Sequence, residues 1–144
     1  MSQTKYALFL KMTDILKQMS TCCRRQVGCI LLDSRNKVLA TGYNGTASGT
    51  AHCTTSPCPG AKLPSGVGLD LCEAIHAEQN ALLQCADVNK IAVCVVTCSP
   101  CIHCMKLLMN TGCHTIVCKE IYDIAAIKLF KSAHVDNEVL FIEI

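Results

Sequence analysis

The chain has no tryptophan and only three phenylalanines and three tyrosines. A surface that grips a polynucleotide combines a basic stripe with aromatic platforms. With a formal charge of +2 and charged residues at 17%, this sequence has neither, so no polynucleotide partner is expected. No apolar run approaches the roughly 20 residues that cross a bilayer. The opening stretch MSQTKYALFLKMTDILKQ has no basic head and no small-residue cleavage site. A soluble protein in the cytoplasm, with no membrane partner, is the expectation. Internal repeats, low-complexity tracts and domain boundaries are also missing. The 144 residues therefore read as one domain, 1–144, long enough for a core of ordinary size.

Cysteine is what the chain has in excess, at 13 residues. An odd number in a chain without secretory signs points to reduced core thiols and metal ligands rather than a disulfide framework. Cys29, Cys94, Cys98, Cys113 and Cys118 lie in or beside apolar, strand-like runs, where a thiol behaves as a small hydrophobe. The apolar spacing of Tyr6, Ala7, Leu10, Met12, Ile15, Leu16 and Met19 predicts a helix over 4–19. Strand-like runs at 27–32 and 37–43 flank Asp33-Ser34-Arg35-Asn36 and predict an antiparallel hairpin. From 44 to 71 the chain is rich in Gly, Ser, Thr, Pro and Cys, a length of loop that is rare unless it works or is held by something. Helix 74–85, strand 91–97, helix 101–110 ended by Gly112, strand 114–118, helix 123–131 and strand 138–142 complete the pattern. Strands alternating with helices imply right-handed crossovers and a sheet with helices on its faces.

One constellation carries chemistry. His76, Ala77 and Glu78 are followed by Pro100, Cys101, Ile102, His103 and Cys104, and both groups fall at expected helix starts. His76, Cys101 and Cys104 supply three zinc donors, the number that leaves a coordination place free for water. Glu78 is the acidic group left over, placed to move protons. Positive helix ends favour the thiolate form of both cysteines. HxE followed by PCxxC is the signature of enzymes that hydrolyse an amino group from a nucleobase, and a small nucleotide is the substrate that the weakly basic, aromatic-poor composition accommodates most easily.

Four stretches, CRRQVGCILLD (23–33), ATGYNGTASG (40–49), CEAIHAEQNALLQ (72–84) and VVTCSPCIHC (95–104), make the chain resemble the deoxycytidylate deaminases within the wider cytidine deaminase superfamily. Ala47 departs from that pattern, since many members have proline two residues after YNG. The resemblance implies a three-layer α/β/α sandwich around a five-stranded mixed sheet, zinc-dependent conversion of dCMP to dUMP, and a homo-hexamer. It also implies activation by dCTP and inhibition by dTTP, with Mg²⁺ accompanying the regulatory triphosphate. The regulatory pocket would lie near Gly42, Tyr43, Asn44, Gly45 and Gly49. His76, Cys101 and Cys104 match the zinc ligands, Glu78 the proton shuttle, Asn44 a nucleotide contact and Tyr122 a pocket aromatic. Independently, the Asn44 amide has both a donor and an acceptor for a sugar or base edge, although an ordinary Asn-Gly turn explains it as well. Arg24 and Arg25 can hold a 5′-phosphate or a regulatory triphosphate, or be solvated surface arginines.

Cys22, Cys53, Cys58 and Cys72, with His52 beside Cys53, lie outside the regular strands. Four soft donors distributed before and through a long loop suit a closed structural zinc, which some members of the family carry. The alternative is a set of free loop thiols. Other readings of the whole chain are a zinc deaminase acting on dCTP, cytidine or tRNA adenosine, and a non-catalytic zinc-stabilised protein of DNA uptake. An intact Glu78 weighs against the last, because a structural metal has no use for an unliganded carboxylate.

Overall fold

The computed structural model describes residues 3–22, 25–52 and 74–144. Helix α1 (Gln3–Leu16) passes through a 3-10 turn at Lys17–Met19 into the hairpin of β1 (Gly28–Leu32) and β2 (Val38–Tyr43). The hairpin turn forms as its residue types dictate. Asp33 Oδ1 accepts from the backbone N–H groups of Arg35 and Lys37 at 2.8 and 2.9 Å, and Asn36 takes the left-handed conformation at φ 63° that asparagine tolerates. The chain continues through β3 (Gly45–Thr46), β4 (Ala74–Ile75), α2 (Ala77–Gln84), β5 (Val93–Cys98), α3 (Ile102–Met109), β6 (Thr115–Glu120), α4 (Ile124–Ala133) and β7 (Glu138–Phe141).

Five strands form one sheet in the order β2-β1-β5-β6-β7. Pairings among β2, β1 and β5 are antiparallel, and those among β5, β6 and β7 are parallel. The parallel half is built by the two crossovers through α3 and α4. Alternation along each strand assigns the faces. Ile30, Leu32, Val93, Val95 and Val117 turn toward Tyr6 and Leu10 of α1. On the opposite face, Cys29, Leu31, Cys94, Val96 and Cys118 meet α2, α3 and α4 through Ala77, Ala81, Met105, Leu108, Ala126 and Phe130. One helix on one side and three on the other give the expected α/β/α sandwich. Because both faces are covered, β1 and β5 are buried throughout, which is why they read as apolar runs.

Differences from the sequence expectations sit at element ends. Helix α2 starts at Ala77 rather than 74, because residues 74–75 are drawn into a two-residue pairing with Gly45–Thr46. Residues 53–73 and 23–24 lie outside the described residues, and so do the expectations for Arg24, Cys53, Cys58 and Cys72. Among the described residues no helix is long and apolar enough to cross a membrane.

The strand cysteines pack as expected of small hydrophobes. Cys29 and Cys94 bring their sulfurs to 3.7 Å, and burial pushes Cys98 and Cys118 up to about 12. Of the nine described cysteines, all but the half-buried Cys85 are buried. Mass-spectrometric mapping of a thiol reagent on the native protein should therefore find Cys85 modified well before Cys29, Cys94, Cys98, Cys113 and Cys118, which react only on unfolding. Equal rates would mean that the three-helix face opens under native conditions.

Candidate metal centre

Two helix starts meet at one end of the sheet. His76 is the N-cap of α2, with extended backbone (φ −71°, ψ 155°). Its carbonyl accepts the first helical bond from Asn80 N at 2.9 Å, and its own N–H donates to Gln79 Oε1 at 2.9 Å. That reach-back is one half of a capping box. Cys101 is the N-cap of α3 and accepts from Met105 N at 2.8 Å. Pro100 stands before the helix rather than in its first turn. There it biases Ser99 toward extended backbone and delivers Cys101 to the cap. Cys104, one turn on, faces the same way as Cys101.

His76, Cys101 and Cys104 place their donor atoms within 4.8 Å of one another. His76 Nδ1 is 3.2 Å from Cys104 Sγ and 3.5 Å from Cys101 Sγ. Zinc bonds of about 2.0–2.1 Å to nitrogen and about 2.3 Å to sulfur, at tetrahedral angles, separate such donors by about 3.5 Å. One imidazole and two thiols are also the borderline-soft set that suits zinc. These three residues could hold that ion, and among the described residues they are the cluster of three metal-ligating side chains.

The electrostatics divide the roles. Hydrogen bonding to Cys104, opposed by burial and helped by His76 and the Cys104 backbone N–H, lowers Cys101 to about 4. The same contact with Cys101, reinforced by burial and Glu78, holds Cys104 well above the usual thiol range. His76 is raised by its hydrogen bond to Cys101. Together the three behave as a thiolate sharing protons with its neighbours, and a cation would replace those protons. Glu78, 5% exposed, is raised chiefly by burial. That burial favours the protonated form relative to an exposed carboxyl group.

The other expected site residues have their own partners. Asn44 is 7% exposed, its Oδ1 accepting from Val27 N at 2.9 Å and its Nδ2 donating to Arg25 O. It thus ties the end of β2 to the segment leading into β1. Arg25 and Tyr122, distant in sequence, come together, with the guanidinium carbon 4.7 Å from the ring centroid. Gly42, Tyr43 and Gly45 line a groove of about 660 Å³ shared with Asn80, Gln84 and the exposed His52. Gly49, at φ 88°, helps the chain turn so that Thr50 N reaches Ala47 O at 3.0 Å. Cys22 is buried, and no other described donor joins it in a cluster of three.

Ser99 is a residue the linear motif did not single out. Its Oγ, in a side chain 1% exposed, accepts from Tyr122 N at 2.7 Å and lies 3.5 Å from Asp123 N, while its own N–H donates to Glu120 O at 2.9 Å. One serine thereby fixes the loop between β6 and α4 against the residue pair that presents Cys101. The signal available in sequence was a hydroxyl immediately before the Pro-Cys pair. Ser99→Ala should destabilise the protein by about 1–3 kcal/mol in denaturant unfolding, the cost of leaving a buried donor without its acceptor. An unchanged midpoint would show that water replaces the hydroxyl.

The family model for the cytidine and deoxycytidylate deaminase zinc-binding region matches residues 2–120. A deoxycytidylate deaminase of Schizosaccharomyces pombe is 36% identical over 113 residues, covering 76% of this chain and 35% of that protein. This chain thus spans about a third of the length of that relative. A deoxycytidylate deaminase of Mycobacterium phage D29 is 38% identical over 116 residues, covering 76% of this chain and 89% of its own length. Among solved structures, the dCMP deaminase of cyanophage S-TIM5 in apo form superimposes with a TM-score of 0.76 at 26% identity, over 99% of this chain and all of that one. The same enzyme in complex with dCMP and dUMP gives 0.75 at 25% identity, over 99% of each chain.

Proposed function

Because the chain belongs to the cytidine and deoxycytidylate deaminase zinc-binding family, we propose that it is a zinc-dependent hydrolase that converts dCMP and water into dUMP and ammonia. The observation that carries this reading is the convergence of His76, Cys101 and Cys104 within 4.8 Å, with the buried Glu78 standing outside the donor set. When bound, zinc supplies water whose pKa falls from about 15.7 toward 7, and hence a nucleophile at neutral pH. Glu78 takes the proton from the water that adds to C4 of cytosine and delivers it to the neighbouring ring nitrogen. It then takes the proton of the new C4 hydroxyl and gives it to the amino group, so that the C4–N bond breaks, ammonia leaves and the C4 oxygen becomes the carbonyl of uracil. Burial of Glu78, 5% exposed, excludes bulk water from this transfer.

Asn44, Arg24, Arg25 and Tyr122 form the nucleotide contacts in this proposal. Asn44 retains a second amide N–H beyond its bond to Arg25, and it sets the position of Arg25. The groove at Gly42, Tyr43 and Gly45, flanked by Asn44 and Gly49, is the place for the regulatory nucleotide, dCTP as activator and dTTP as inhibitor, with Mg²⁺ on the triphosphate. Residues 1–144 act as a single deaminase domain in a cytoplasmic homo-hexamer. A second, structural zinc is held by Cys22, Cys53, Cys58 and Cys72, with His52 as an alternative donor, and metal analysis of the purified protein would then find two zinc ions per chain.

Ammonia release from dCMP by zinc-loaded protein, with dCTP, cytidine and tRNA as comparison substrates, tests the reading. Turnover of dCMP with a sigmoidal dependence that dCTP makes hyperbolic supports both the activity and its regulation. Preference for another of these substrates would reassign the deaminase, and turnover of none would leave a zinc-stabilised binding protein.

A further inference from the structure

In the segment before β1, Arg25 is a cation already held by an anion. Arg25 stacks on the Tyr122 ring, and its Nη2 lies 3.3 Å from Glu120 Oε2. The backbone beneath all three residues is fixed. Arg25 O accepts from Asn44 Nδ2, Glu120 O accepts from Ser99 N, and Tyr122 N donates to Ser99 Oγ. Ser99 stands two residues before Cys101, so the cluster is tied through Pro100 to the helix start that presents Cys101.

The soft member is the Glu120 carboxylate. Its side chain is 56% exposed, against 33% for Arg25, and the 3.3 Å contact is longer than the roughly 2.7–2.9 Å of a strong charge-assisted hydrogen bond. An exposed ion pair of this kind contributes little. A guanidinium fork pairs better with a phosphate, which offers parallel acceptors and more charge. Stacking on Tyr122 keeps the guanidinium plane oriented whichever anion it holds.

We propose that Glu120 is a placeholder counter-ion, holding Arg25 against Tyr122 in the free protein and yielding it to the 5′-phosphate of the incoming nucleotide. Glu120 is then a positioning residue. Exchange of a weak carboxylate partner for a strong phosphate one is the step that selects a nucleotide over the nucleoside, because deoxycytidine offers nothing to displace Glu120. The inference rests on the reading of the site as a dCMP deaminase and adds its device for recognising the phosphate.

Steady-state kinetics on dCMP and deoxycytidine test it, with wild type, Glu120→Gln, Glu120→Asp and Arg25→Gln. Removing the competing charge in Glu120→Gln should raise the ratio of the deoxycytidine KM to the dCMP KM by about two- to fivefold, the range an exposed pair can contribute. Glu120→Asp, which keeps the charge, should return the ratio toward wild type. Arg25→Gln should lower it by about tenfold or more, as expected for loss of a charge-assisted phosphate contact. A merely structural Glu120 would move both KM values together, and an unchanged or lowered ratio in Glu120→Gln overturns the inference while leaving the deaminase reading intact. Absence of turnover with either substrate in the wild-type protein removes the deaminase reading and this inference with it.

Discussion

Glu78→Gln should lower kcat/KM for dCMP by about 10²–10⁴, the usual contribution of a positioned proton-transfer group, with zinc content unchanged. The substitution preserves shape and hydrogen-bonding capacity but removes the group that accepts and returns protons. Glu78 lies at N2 of α2, two residues beyond the donor His76, and is 5% exposed. Water therefore cannot easily substitute for it. The two readouts separate its roles. Metal analysis reports whether the His76, Cys101 and Cys104 set still closes, and kinetics report the proton transfer. Loss of zinc together with activity would mean that Glu78 supports the donors rather than the chemistry, and full activity would refute its assignment.

A second large effect is expected from Gly42→Ala, at a position remote from the chemistry in sequence. Strand β2 passes α2 at Gly42 so closely that an added Cβ would lie 2.6 Å from Ala81 N and closer still to the Ala77 carbonyl oxygen. Both are helix backbone, so no side chain can rotate away. Helix α2 must shift, at a cost of about 1–3 kcal/mol as for other overpacked interiors. The same helix carries His76 at its cap and Glu78 in its first turn. A displacement near 1 Å can cost about 10²-fold in rate, so thermal stability and kcat should fall together. Thermal unfolding and single-turnover deamination check this; a stable, fully active Gly42→Ala protein would show that the β2–α2 approach does not position the centre.

Much of this arrangement was legible in the sequence because it is written in local terms. Among the described residues, apolar spacing and the Asp33–Asn36 cluster located the four α-helices and the five strands of the main sheet, and the HxE and PCxxC groups located the three residues of the metal-ligating cluster. What escaped were features that depend on a partner far along the chain. The β3–β4 pair is two residues on each side, too short for any periodicity to register. His76 and Cys101 fall at N-caps rather than inside helices, since an N-cap adopts extended backbone and composition cannot separate it from the first helical turn. Arg25 was a candidate from sequence, but the Ser99 bonds and the partnership of Arg25 with Glu120 and Tyr122 arise from contacts between the segment before β1 and the ends of β5 and β6. The Arg25–Glu120 pair spans 95 positions and leaves no trace in linear order. Asn44 was recognisable as a residue with work to do, and its bonds to Val27 and Arg25 give it a place in the scaffold.

The most direct measurement is deamination of dCMP by the zinc-loaded protein in water enriched in the heavy oxygen isotope, followed by mass spectrometry. The expected product is dUMP carrying one heavy oxygen at C4, formed with an equivalent of ammonia, abolished when a chelator removes the zinc and restored when zinc returns. No dUMP from zinc-replete protein, or dUMP formed at an undiminished rate after the metal is gone, would contradict hydrolysis at the His76, Cys101 and Cys104 centre.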